Sequence, residues 1–309
     1  MKRWSLITTY KIMDPPGTNF RFMESFVDFY ERKWGVEKSI LLVGVPKNLL
    51  EKNSSICDPI VGRIEALNGA KFDKQMTVSG INYPFLSNIN IMSSESGKVD
   101  AVFYHTDYST KVNDWSAIKN VLSNICDSHM DKSFTNVINI DNDEFLRMEE
   151  GKEPTDNEGF HYVEFIPPNI NTSFDWESDM SWCAQPWYYR KNKILSPSDP
   201  KLNSICHNWC KKFNFSRQNI ASPWIHSGQT KPPDSCSRFK IEDMESCNIA
   251  YHLACLDYEH YKNGKAINHY TSQTGESYDE IGKHIEDNYK LYYQQFGKFT
   301  SFVDNFIKK

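Results

Sequence analysis

The first 45 residues set the narrowest limit on the fold. Residues 4–10, "WSLITTY", predict a strand, and "DPPGTN" a loop. "FRFMESFVDFYERKW" follows, with Phe22, Phe26, Phe29 and Tyr30 at helical spacing. After Gly35, "SILLVGV" is a second strand, apolar along its whole length. A strand, helix and strand of this length make a βαβ unit, whose sheet is parallel and whose crossover is right-handed. The expected fold is therefore an α/β layer structure that binds ligands at the carboxyl ends of its strands.

Further elements extend that pattern. "PKNLLEK" predicts a short helix, with loops filling the rest of 46–100. "KVDAVFYHTD" predicts a strand ending in Tyr104, His105 and Asp107, and "DWSAIKNVLSNI" a helix with Trp115, Ile118, Leu122 and Ile125 on one face and Asp114 as N-cap. "TNVINI" and "HYVEFI" read as two more strands. The tail from Ser277 predicts helix, with Ile281, Ile285, Tyr289, Tyr292 and Phe296 on one stripe. With no repeat and no long linker, 1–309 is expected as a single domain of two halves, 1–166 and a more variable 167–309 that ends in helix.

At 309 residues the chain can bury a sizeable core. Its net charge of −5 and scattered basic residues argue against a nucleic-acid partner, which calls for a basic face. No apolar run reaches the ~18–20 residues needed to cross a bilayer. Thr8, Thr9, Tyr10 and Lys11 break the first apolar stretch before any signal-peptide pattern forms, so a soluble, cytoplasmic protein is expected. Eight irregularly spaced cysteines fit reduced thiols better than a disulfide framework.

Residues 137–146, "VINIDNDEFL", place Asp141, Asp143 and Glu144 directly after an apolar strand. Carboxylates crowded at such a strand end repel unless a cation offsets them. An Asp-x-Asp pair on a turn suits a hard divalent cation, Mg²⁺ or Mn²⁺, which takes oxygen ligands and keeps positions open for phosphate oxygens. The alternative is a solvated acidic turn.

This block resembles the Asp-x-Asp-Glu-Phe segment of GT-A-fold glycosyltransferases, particularly the family-2-like and family-92-like enzymes. The opening βαβ unit and the helix "WSAIKNVL" ahead of the acidic turn stand in the order of that family, and "KILSP" and the histidine-containing blocks near Tyr251 and Asn268 resemble its C-terminal pattern. The resemblance implies a GT-A-like (Rossmann-like) mostly parallel sheet flanked by helices, and metal-dependent transfer of a sugar from a nucleotide-diphosphate sugar to a hydroxyl of a carbohydrate acceptor. By it, Asp143 matches the acid that binds the metal, Asp141 the acid nearer the ribose and the metal's water shell, and Thr8, Tyr10 and Lys11 the nucleotide contacts. A histidine from the C-terminal part completes the metal or diphosphate site in that fold: His252 first, then His269 or His207. The chain departs from the family in having "TTYKIMD" where many relatives have Lys-Asn-Glu, and in lacking the Gln-x-x-Arg-Trp block of processive enzymes.

An inverting reaction also needs a carboxylate base for the acceptor hydroxyl. Glu164 in "HYVEFI" and Asp175, Glu177 and Asp179 in "SFDWESDMSW" are the candidates. Trp176, Trp182, Trp187, Tyr188 and Tyr189 suit an acceptor platform or packing under a long loop. Lys193, with Arg190 and Lys191, could hold phosphates, and Cys206, His207 and Cys210 could hold zinc, though no second clean pair accompanies them. Two rival readings remain: a nucleotidyltransferase on a related α/β fold, for which "DPPGTN" is a poor phosphate loop, and a non-catalytic carbohydrate-binding relative.

Overall fold

The computed structural model describes residues 2–12, 20, 23–79, 86–106, 115–142, 144–149, 151–156, 158–165, 184–186, 210–219 and 248–252. The chain divides into two compact units, Met1–Asn142 with Asn214–Ile225, and Asp143–Phe213 with His226–Lys309.

The first unit is an α/β layer structure. Its elements are β1 (Trp4–Lys11), α1 (Met23–Trp34), β2 (Val36–Pro46), α2 (Lys47–Lys52), α3 (Asp58–Asn68), β3 (Lys74–Val78), β4 (Leu86–Ser93), β5 (Val99–Thr106), α4 (Trp115–His129) and β6 (Asn136–Asp141). They build a six-stranded sheet of order β3-β4-β5-β2-β1-β6. β5, β2, β1 and β6 run parallel, and β4 and β3 are added antiparallel.

Alternate residues of each parallel strand feed two cores, so the sheet is covered on both faces. Ile7, Ile40, Leu42, Val102, Tyr104 and Val137 pack with Ile118, Leu122 and Cys126 of α4. Tyr10, Leu41, Val43, Val45, Ala101 and Phe103 pack with Met23 and Val27 of α1 and Ile60 and Ile64 of α3. This double cover is why β2 reads as an unbroken apolar run: every residue from Ser39 to Pro46 is buried. Met23, Phe26, Val27 and Tyr30 recur at helical spacing as the buried stripe of α1. That helix ends at Gly35, whose φ of 63° is a left-handed conformation that a residue with a Cβ rarely adopts.

The expectation of one short helix and loops across 46–100 is incomplete. α2 is there, but α3, β3 and β4 form as well. β3 hides from a pattern search because four of its five residues are exposed, leaving no alternation to read.

The second unit holds a five-stranded mixed sheet of β7 (Glu144–Arg147), β8 (Glu158–Phe165), β9 (Ala184–Pro186), β10 (Cys210–Phe213) and β11 (Ile249–His252). The order is β10-β8-β11-β7, with β9 also paired to β8. Phe145, Leu146, Phe160, Phe213 and Ala250 are buried, and the Phe160 and Phe213 rings meet edge to face at 5.3 Å. Asn248 ties the sheet ends together by accepting the Glu149 N–H (2.8 Å) and donating to Glu158 Oε1 (2.9 Å).

No helix among the described residues is long and apolar enough to cross a membrane. Cys57 and Cys126 are free thiols, and full burial pushes Cys126 up to about 12, which leaves it unreactive at neutral pH. The helical tail from Ser277 and the aromatic run from Trp176 to Tyr189 fall outside the described residues, apart from the backbone of β9.

Candidate functional site

The parallel sheet reverses its winding at β1. The crossover through α1 places β2 on one side of β1, whereas the one through α4 places β6 on the other. Open α/β sheets bind ligands outside the strands' carboxyl ends at such a switch point, because the two crossovers leave a crevice there.

β6 delivers Asp141 to that place. Val137, Ile138 and Ile140 are buried, and Asn139 faces α4, donating to Ser123 Oγ at 3.0 Å. Asp141 is the last residue of the strand and is half-buried. Its register partner on β1 is Thr9, 8 % exposed, so the two share a face at the crevice. Thr8 pairs with Ile140 one row further in; it is fully buried, and its hydroxyl has no hydrogen-bond partner. Lys11, half-buried, closes the strand opposite Gly44 of β2.

Tyr10 sits differently from a nucleotide contact. It is 3 % exposed, and its ring stacks on Phe20 at 4.6 Å within the core under α1 and α3. A tyrosine that follows two threonines near a strand's end reads equally well as edge or core, and the Phe20 partner decides it here.

At the carboxyl end of β5, His105 lies opposite Val45 of β2 and Ser87 of β4. The Asn88 carboxamide nitrogen stands 3.0 Å from His105 Nδ1. Partial burial, and then the positive charge of Lys47, hold the imidazole below its ordinary pKa, so it is neutral at pH 7.

In the second unit, β11 runs between β7 and β8 in a register that makes Glu144 and Glu164 the two Cα partners of His252. The base candidate and the preferred histidine thus occupy one row of the sheet, flanked by Glu144, which is 1 % exposed. Spacing could not have shown this row, since its members come from strands roughly 20 and 90 residues apart in the chain.

Asp143, Asp179, Lys193, His207 and His269 lie outside the described residues. Among the described residues no group of three His, Cys, Asp or Glu side chains is placed to hold a metal ion. The oxygen donors at the crevice, the Asp141 carboxylate above all, are of the kind a hard divalent cation takes. The chain matches no protein-family model, no curated protein and no solved structure.

Proposed function

We propose that the protein is a metal-dependent GT-A-type glycosyltransferase, moving a sugar from a nucleotide-diphosphate sugar to a hydroxyl of a glycan or glycoconjugate. The observation that supports this most directly is the position of Asp141. The first acid of the Asp-x-Asp pair stands at the carboxyl end of β6, in register with Thr9, beside the switch point of a mostly parallel sheet.

In this reading Asp141 and Asp143 hold Mg²⁺ or Mn²⁺. The bound cation would supply charge stabilisation to the leaving diphosphate. Thr9 is placed to orient a phosphate or ribose oxygen by hydrogen bonding. Lys11 adds positive charge at the end of β1, where a diphosphate accumulates negative charge as the sugar leaves. Glu164 and Asp179 are the proposed acceptor bases, and His252 the proposed C-terminal ligand.

A thermal-shift screen of UDP-, GDP- and CMP-sugars, with and without Mn²⁺, tests this, since a ligand bound only by the native state raises its apparent stability. Stabilisation by one nucleotide class that needs the metal and disappears in both Asp141→Asn and Asp143→Asn is the expected result. Equal shifts in the variants and the parent, or no shift with any donor, would remove the reading.

A further inference from the structure

β4 departs from regular pairing at one point, and that point bears on His105. Between the pairs Ser87↔His105 and Asn90↔Phe103, β4 has two residues, Asn88 and Ile89, against one on β5, Tyr104. This is a bulge, a device that recurs beside functional sites because it re-aims a side chain. Asn88 takes a φ of 48°, the one non-glycine residue with positive φ among the described residues. A left-handed conformation strains an ordinary residue, and asparagine is among the residues that tolerate it best. The bulge brings the Asn88 carboxamide to His105 Nδ1.

The chemistry of that contact fixes the ring. An amide nitrogen only donates, so Nδ1 accepts and the single proton of the neutral imidazole is on Nε2. The charge acting on the ring is Lys47, at the start of α2; Val45 and Ser87, its partners on the adjacent strands, are uncharged. The edge of β5 therefore presents a fixed N–H donor in a positive field, which suits an oxygen acceptor and disfavours a cation.

Sheet spacing decides which part of a ligand it meets. β5 is two strands from β1 and three from β6. At about 4.8 Å per strand and ~3.3 Å per residue, His105 is ~10 Å from the end of β1 and, three rows further along the strands, ~17 Å from Asp141. No single phosphate could touch both Asp141 and His105 across that span. We propose that His105 is a ligand-contacting residue whose Nε2–H donates to an oxygen on the nucleoside end of the donor, with Asn88 as the positioning residue that holds the ring in this tautomer. This rests on the glycosyltransferase reading and adds to it the residue that holds the end of the donor remote from the metal.

The experiment is ¹⁵N–¹H correlation of the imidazoles in the full chain, with His105 identified among the nine histidines by its loss in His105→Gln. Melting temperatures are measured in parallel with Mg²⁺ and either pyrophosphate or UDP, GDP or CDP. The free protein should show His105 as the Nε2–H tautomer. One nucleoside diphosphate should move its Nε2 resonance, while pyrophosphate raises the melting temperature and leaves it in place. Asn88→Gly accepts the same backbone but removes the amide, so it should mix the tautomers and weaken the nucleoside diphosphate about threefold to tenfold, the range of one lost hydrogen bond, with pyrophosphate affinity unchanged. An Nδ1–H tautomer in the free parent protein, movement with pyrophosphate alone, or a melting shift with every nucleoside diphosphate that leaves Nε2 unmoved would each overturn the inference with the glycosyltransferase reading intact. Absence of any melting shift would remove that reading and the inference with it.

Discussion

The two edges of the six-stranded sheet are finished differently. At the amino edge, polar groups are drawn into a dense network. Arg3 binds Glu37 and Asp131, with its guanidinium 4.2 Å from the centre of the Phe134 ring. Trp4, Trp34 and Phe215 pack ring to ring. Lys38 pairs with Asp100 at 2.8 Å and donates to Gly97 O. Asn68 both donates to Val99 O and accepts from Val99 N–H, so closely that a Cβ on Gly97 would stand 2.8 Å from its amide nitrogen. Asn136 Nδ2 is left without a partner there. The carboxyl edge instead carries the Thr8 hydroxyl without a partner, a left-handed asparagine, a depressed histidine and the Asp141 carboxylate. One edge gives its polar groups to the fold, and the other carries an unpartnered hydroxyl and a strained asparagine beside the acid that ends β6, a local departure of the kind found at ligand-binding edges.

The contrast is broken hardest at Arg217. This residue belongs to a segment that returns to the first unit, where Val137 N–H donates to Phe215 O and Ser216 bridges Asn136. Its guanidinium, 15 % exposed, binds the Asp127 carboxylate and donates to the carbonyls of Asp127, Met130, Asp131 and Phe134, capping the C-terminal end of α4. Arg217→Ala leaves those acceptors without their donor and should cost about 2–4 kcal/mol. Arg217→Lys should recover less than half, because an ammonium lacks the planar five-donor fork. Urea denaturation measures both, and a loss under 1 kcal/mol for Arg217→Ala would mean that the amino edge is held by its aromatic cluster alone.

Asn68→Ala should cost less, about 1–3 kcal/mol, since it removes both hydrogen bonds to the Val99 backbone at the start of β5. Ligand binding should be unaffected, because the site is at the other end of the strand. If Asn68→Ala weakens a nucleotide more than threefold, the two edges are coupled.

Thr8→Val carries the comparison across the sheet, with the opposite sign. The substitution keeps shape and β-branching and deletes a buried hydroxyl without a partner, whose desolvation costs about 1–3 kcal/mol. The ligand-free protein should gain about 1 kcal/mol in denaturant unfolding. A destabilised variant would show that the hydroxyl is satisfied by water and belongs to the fold, as the amino-edge groups do.

Much of the first unit is legible in its sequence, for physical reasons. α1 and α4 repeat apolar residues at helical spacing, and β2 and β5 are long apolar runs because both their faces are covered. β6 announces its end, since three buried apolar residues give way to acids at Asp141. What is not legible depends on partners far away in the chain. β3 is exposed on both faces, and β4 reads "LSNINIMS", polar and apolar mixed, because its pairing contains a bulge. His105 could be named as the end of a strand, but Asn88, seventeen residues earlier, becomes its partner only through antiparallel pairing. The row of Glu144, His252 and Glu164 likewise exists only once β11 lies between β7 and β8.

The smallest effect is the most specific to the carboxyl edge. Burial and Lys47 lower the folded-state pKa of His105, so the unfolded chain, with an ordinary value near 6.5, takes up the proton first. The native state is then penalised as pH falls below about 6.5, and the penalty levels off once pH is below the folded value. At pH 7.5 and above both states hold a neutral ring and the contribution vanishes. Stability of the parent measured from pH 7.5 down to 5 should therefore fall more steeply than that of His105→Gln, with the difference developing below pH 6.5. The groups at the amino edge leave this difference unchanged, because they are present in both proteins. Parallel profiles would mean that His105 titrates in the folded protein as it does in the unfolded chain, and that burial and Lys47 do not hold the ring neutral.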